Sequence, residues 1–310
     1  MTLKVRWSRW LAVALLGACS LGGSIPAAAL EVVATLPTLA ALAHEVAGPH
    51  ATVSSLLGPK QDPHYADPRP NLILTLNKAD LLLTNGLELE VGWLPGLVRQ
   101  ARNPRIQTGT SGWFDASMWV RRLQVPARVD RAMGDIHPGG NPHFLVDPRA
   151  GAAIAEGLGK ALATVDPAHA ADYQRNANAL ASRLRDLAAA ESKRFAALPE
   201  AARRLVVYHD SLIYLVDWLQ LKQVATVEPR PGIPPDPGHL AKVVGTMRAT
   251  TTRLLAQEEF YPRNTSEQVV KLTGGRLVVL AGGVGFNEGQ RYEDWVRAIA
   301  RELYGAASAQ

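Results

Sequence analysis

Asp166-Pro167 followed by AHAADYQRNANALASRLRDLAAAESKRFAAL (residues 168–198) decides the fold. The stretch is rich in Ala, Leu, Arg and Glu and contains no Gly and no internal Pro, so it predicts one uninterrupted helix. Asp-Pro is a suitable opening, because proline is tolerated in a first helical turn. At about 1.5 Å per residue the helix would run roughly 45 Å. Such a segment is a strut and not a flexible linker. Residues 148–164, opened by Asp147-Pro148, predict a second helix just before it.

On both sides of this helical block, apolar β-rich runs alternate with helical patterns. Residues 31–36, 51–57 and 80–84 read as strands, with helices over 38–47 (ended by Gly48-Pro49) and 70–78. Beyond the block, 204–208, 223–228, 253–258 and 276–280 read as strands, and 212–219, 239–249, 266–272 and 292–304 as helices. Alternation of this kind implies parallel sheets flanked by helices. The expected fold class is α/β: two lobes joined by a single long rigid helix. The expected organisation is a signal segment over 1–29, an N-terminal lobe over 30–165, a linking helix over 166–198 and a C-terminal lobe over 199–310. Residues 109–139 read as a loop-rich excursion.

The chain has 310 residues, enough for two cores. Its formal net charge of +5 includes Lys4, Arg6 and Arg9, so the remainder is close to neutral. No Lys/Arg block interleaved with aromatics is present, which argues against nucleic-acid binding. Lys4, Arg6 and Arg9 precede the apolar run 11–18 and then Ala27-Ala28-Ala29, the pattern of an export signal cleaved after Ala29. Leu16-Gly17-Ala18-Cys19 resembles a lipobox, so an anchor on Cys19 is the alternative. Cys19 is the only cysteine. A cleaved chain therefore has no disulfide, and any zinc site must be built from nitrogen and oxygen ligands.

Three histidines stand where loops leave the scaffold: His64 in Asp62-Pro63-His64-Tyr65, His143 in Asn141-Pro142-His143-Phe144 and His209 in Val207-Tyr208-His209-Asp210. Ligands of open parallel sheets sit outside the carboxyl ends of strands, where His64 and His209 fall. Neutral imidazole is the commonest side-chain ligand of zinc, and three nearly complete a tetrahedral site. Any one of these histidines alone would more readily be structural; the metal reading rests on all three contexts.

Those contexts resemble the solute-binding proteins of zinc and manganese ABC importers. Asp62-Pro63-His64-Tyr65-Ala66-Asp67-Pro68-Arg69-Pro70, with Lys78-Ala79-Asp80-Leu81 and Asn85-Gly86-Leu87-Glu88-Leu89-Glu90, is similar to the first ligand segment of that family. Residues 140–148 resemble the second, and 206–211 with the Pro/Gly-rich 228–235 the third. The resemblance runs from about Leu30 to the C-terminus. It implies metal held in the cleft between two lobes, with His64, His143 and His209 as ligands, and delivery to a membrane permease. It also implies no enzymatic role and a monomer outside the cytoplasm. Manganese members carry a carboxylate where His209 stands, so the resemblance implies zinc before manganese. Many members place an aspartate after the last strand; Ala281 aligns with it. Water is then the first candidate for a fourth ligand, followed by Glu259, Glu228 or His137.

Two other classes remain open at this level. Three histidines and a water also describe a zinc hydrolase, which would need a general base and a substrate pocket that no motif identifies. An exported metal chaperone or adhesin is the third. Ala43-His44-Glu45-Val46-Ala47-Gly48 lacks the second histidine of a metalloprotease helix, and His44, His50, His169 and His239 read as surface residues. Gly282-Gly283-Val284-Gly285-Phe286-Asn287-Glu288-Gly289 lacks Gly-Lys-Ser/Thr and reads as a mobile connection between strand and helix, so the chain provides no ATP site.

Overall fold

The computed structural model describes residue 2 and residues 29–67, 69–128 and 137–309. The expected signal segment up to residue 28, Cys19 included, lies outside them. Among the described residues, no helix is long and apolar enough to cross a membrane.

The first half begins with strand β1 (Leu30–Ala34), helix α1 (Pro37–Ala47), β2 (Ala51–Ser55), α2 (Pro70–Lys78) and β3 (Leu81–Thr84). Helix α3 (Leu94–Ala101), β4 (Trp113–Asp115) and α4 (Pro148–Val165) follow. Proline at the start of α1, α2 and α4 sets the first turn where no amide partner is needed. Asp147 caps α4 by accepting from Arg149 N at 2.8 Å. The strands form one sheet in the order β2-β1-β3-β4, all pairs parallel. Every residue of β3 is buried, as a central strand covered on both faces requires.

Helix α5 (Ala170–Ala196) has 27 residues, about 40 Å of helix, and is preceded by a 3₁₀ turn over Pro167–His169. The sequence reading extended this helix two residues too far at each end. It lies along α4 and α1. The second half then repeats the plan with β5 (Arg204–Val207), α6 (Ile213–Trp218), β6 (Lys222–Thr226), α7 (Pro237–Ala249), β7 (Leu254–Glu258), α8 (Arg263–Thr273), β8 (Arg276–Leu280) and α9 (Tyr292–Ser308). Its sheet has the order β6-β5-β7-β8, again parallel throughout.

The four strands of each sheet follow the same order, and the loops at their carboxyl ends meet across a common cleft at His64 and His209. One continuous apolar core runs from Val32 and Leu83 in the first sheet through Tyr173 and Leu184 of α5 to Leu205 and Trp295 in the second lobe. A smaller core of Val206, Val243, Met247 and Leu255 sits under α7. Polar ties cross between the halves as well. Tyr292 Oη donates to Leu145 O at 2.9 Å, and Arg149 reaches Asp217 Oδ2 at 2.6 Å. Asp217 is also bonded by Arg121.

Two elements were not read from the sequence. Strand β4 lies inside the expected loop-rich excursion, and α3 hides behind Pro95 and Gly96 in its first turn.

Candidate metal centre

His64 lies in the loop that leaves β2. Asp62 Oδ1 accepts from His64 N at 3.0 Å and stands 2.8 Å from its Nδ1. Trp93 Nε1 donates to Pro63 O at 3.0 Å, pinning the same turn. With the Nδ1 proton held by Asp62, the Nε2 lone pair is the one left to face the cleft. Burial works against ionisation of Asp62, but His64 outweighs it and holds the carboxyl below its ordinary range.

His143 is placed from several sides. Its N–H donates to Asn141 Oδ1 at 3.0 Å, while Asn141 Nδ2 donates to Asp210 O at 2.9 Å and Tyr214 Oη to Asn141 O at 3.0 Å. Asn85 Nδ2 donates to Pro142 O at 2.9 Å. Asn85 itself opens a tight loop in which Gly86, Leu87 and Glu88 all have positive φ (83°, 52° and 63°). Two of those residues are not glycine, so the backbone carries a conformational cost. The buried Glu90 carboxylate holds it, accepting from Asn85 N at 2.6 Å, Gly86 N at 3.2 Å and Thr35 Oγ1 at 2.7 Å. Burial, and then the neighbouring rings of His64, His209 and His137, push His143 well below the ordinary imidazole value. It is neutral, the form a metal needs.

His209 follows β5. Its Nδ1 stands 2.7 Å from Glu228 Oε2, and Glu228 follows β6 next door. Burial disfavours the charged ring, but Glu228 outweighs it and raises the value. Gly232 N also donates to Glu228 Oε2, at 3.2 Å.

The three rings meet. Their centroids are 5.1 Å (His64–His143), 5.5 Å (His143–His209) and 5.8 Å (His64–His209) apart. One ring nitrogen from each lies within 4.8 Å of the other two. His64 Nε2 and His143 Nε2 are buried and have no hydrogen-bond partner. Buried lone pairs of this kind are costly unless something occupies the space they face. Two of the rings are backed by carboxylates on the far nitrogen, the usual arrangement behind zinc-ligating histidine.

The other expected candidates fall out differently. Glu228 is engaged with His209. Glu259 faces Lys60 at 3.6 Å and accepts from Gly282 N at 3.4 Å, spanning the cleft mouth. His137 stands beside His64 with ring centroids 5.5 Å apart. Ala281 lines the same cavity as His143 and offers no donor atom. His44 is exposed, whereas His50, His169 and His239 are half-buried and not simply surface residues. His50 and His169 stack at 3.9 Å and pair with Asp172 and Asp166.

One residue beside the site was missed by the sequence reading. Glu258, the last residue of β7, is buried, and its Oε2 has no hydrogen-bond partner. An acid closing the apolar run Leu254-Leu255-Ala256 at a carboxyl strand end was the available signal.

With this geometry in view, comparison with known proteins gives a single family. Residues 32–306 match the family described as zinc-uptake complex component A, periplasmic. The chain belongs to that family. Among relatives of the family, the iron-binding protein YfeA of Yersinia pestis is 28% identical over 257 residues, 82% of this chain and 76% of that protein. The manganese ABC transporter substrate-binding lipoprotein PsaA of Streptococcus mitis is 28% identical over 203 residues, 64% of this chain and 62% of that one. A zinc-bound crystal structure of a ZnuA mutant lacking residues 138–173 of its own sequence superimposes with a TM-score of 0.77 at 22% identity, covering 91% of this chain and 99% of that one. That likeness establishes the two-lobed fold. The family consists of binding proteins, and this chain is one of them and not an enzyme.

Proposed function

We propose that this chain binds zinc outside the cytoplasm through His64, His143 and His209 and passes it to the permease of an ABC importer. The coarser part of this reading, a metal-binding component of an importer, follows from the family. The choice of zinc is ours, since relatives are named for iron and manganese as well. It is carried by one observation: three imidazole nitrogens converge within 4.8 Å with no carboxylate in the group among the described residues. Neutral nitrogen donors suit zinc better than manganese, a harder ion that prefers oxygen. The proposal includes export through residues 1–29, a division into lobes at 30–165 and 199–310 around the linking segment, and a monomeric chain.

Titration of metal-free protein with zinc, manganese and ferrous iron against a competing chelator tests it. One zinc per chain is expected, with replacement of any of the three histidines by alanine weakening binding substantially while the thermal midpoint of the metal-free protein is retained. Unchanged zinc affinity in all three variants, or tighter manganese than zinc binding, sinks the assignment.

A further inference from the structure

Among the carboxylates near the three rings, Asp62, Glu228 and Glu258 are not equivalent. Asp62 and Glu228 each face an imidazole Nδ1. Glu258 lies beside Ser211 in the wall of the cleft, and its Oε2 is left buried and unpartnered. A buried carboxylate with a free oxygen is expensive, because nothing replaces the water it has lost. Glu258 is 8% exposed, so solvent does not supply the missing partner.

Its position in the sheet says where a partner would be. Glu258 is aligned with Leu280 on β8, immediately before Ala281. Glu258, Ala281, Ser211, Asn85 and His143 line one cavity of about 80 Å³ between the lobes, roomy enough for water. His143 and Glu258 thus share a wall of this cleft, and Glu258 lies near enough to His209 for its charge to act on that ring. The carboxylate is not itself within the group of mutually close ligand atoms.

We propose that Glu258 completes the metal site through water: its free Oε2 accepts a hydrogen bond from the water that takes the fourth coordination position. Three neutral imidazoles leave the ion's double charge unreduced, and a nearby carboxylate offsets it while the water keeps the ion exchangeable. Glu258 is a positioning residue here, acting on the metal through the water. The inference rests on zinc being held by His64, His143 and His209.

The test is the isosteric Glu258→Gln in the full chain, titrated with zinc alone against a chelator, beside the parent and His64→Ala. A tenfold to hundredfold loss of zinc affinity is expected, the range typical of outer-sphere partners. The thermal midpoint of the metal-free variant should be retained, since the amide fills the same space; a purely structural acid would leave affinity within twofold of the parent, which overturns the proposal. Should the variant not fold, X-ray absorption of the zinc-loaded parent decides. Three imidazoles and one oxygen support the proposal, and four imidazoles overturn it. A parent that binds no zinc overturns the ligand assignment itself.

Discussion

Asn85 Nδ2 donates to Pro142 O at 2.9 Å, so the loop after β3 holds the residue directly before His143. The loop in turn is held by Glu90, whose carboxylate gathers Asn85 N, Gly86 N and the Thr35 hydroxyl. A strained turn far from His143 in sequence thus fixes the height of its ring in the cleft.

Asn85→Ala should cost about 1–3 kcal/mol of stability, because it strands a buried carbonyl. Zinc affinity should fall with it as the His143 segment loosens. Denaturant midpoints and chelator titration on the same preparation measure both. A variant as stable as the parent would show that Pro142 O finds another donor.

Ala281→Asp places a carboxylate one residue past Leu280, beside Glu258 on the neighbouring strand. Zinc should bind about tenfold more tightly and leave more slowly, as a charged oxygen replaces or orders the water. Equal affinity in stopped-flow release and equilibrium competition would mean that position 281 does not face the ion.

Metal loading should change the radius of gyration by no more than about 1 Å, with ordering confined to loops at the cleft. The continuous core through α5, the Tyr292–Leu145 bond and the Arg149–Asp217 pair all resist a hinge. Small-angle scattering of metal-free and loaded protein is the measurement. A compaction of several ångströms would count against a rigid connection.

Acid should weaken the tie between lobes. Burial opposes ionisation of Asp217, but Arg149 and Arg121 outweigh it and hold the folded carboxyl below its ordinary range. The pair therefore contributes fully above the unfolded carboxylate value, near pH 3.9, and its contribution is lost as pH falls through the folded value. Asp217→Asn should flatten the acid limb of thermal midpoint against pH. At neutral pH it should cost about 1 kcal/mol or less, since the side chain is 33% exposed and solvent screens the pair. An unaltered acid limb would remove Asp217 from the account.

The β/α rhythm and the three histidine segments were legible because both are local: strands such as Leu81–Thr84 are apolar runs, and each histidine sits in a short motif of its own. Strand β4 was not, since three residues make no period. Sequence alone favours Glu259 over Glu258, because Glu259 is one residue nearer the loop. What separates them is tertiary: Glu259 reaches Lys60 across the cleft, while Glu258 turns inward. The pairing of Glu228 with His209 likewise depends on β5 and β6 lying side by side, which spacing alone does not state.

His64 and His143 precede the 27-residue α5, and His209 follows it. A nascent or truncated chain that ends within that helix holds two of the three imidazoles and lacks the sheet that presents the third. On the proposed ligand set, capture is thereby tied to completion of the polypeptide, because neither lobe alone carries all three imidazoles.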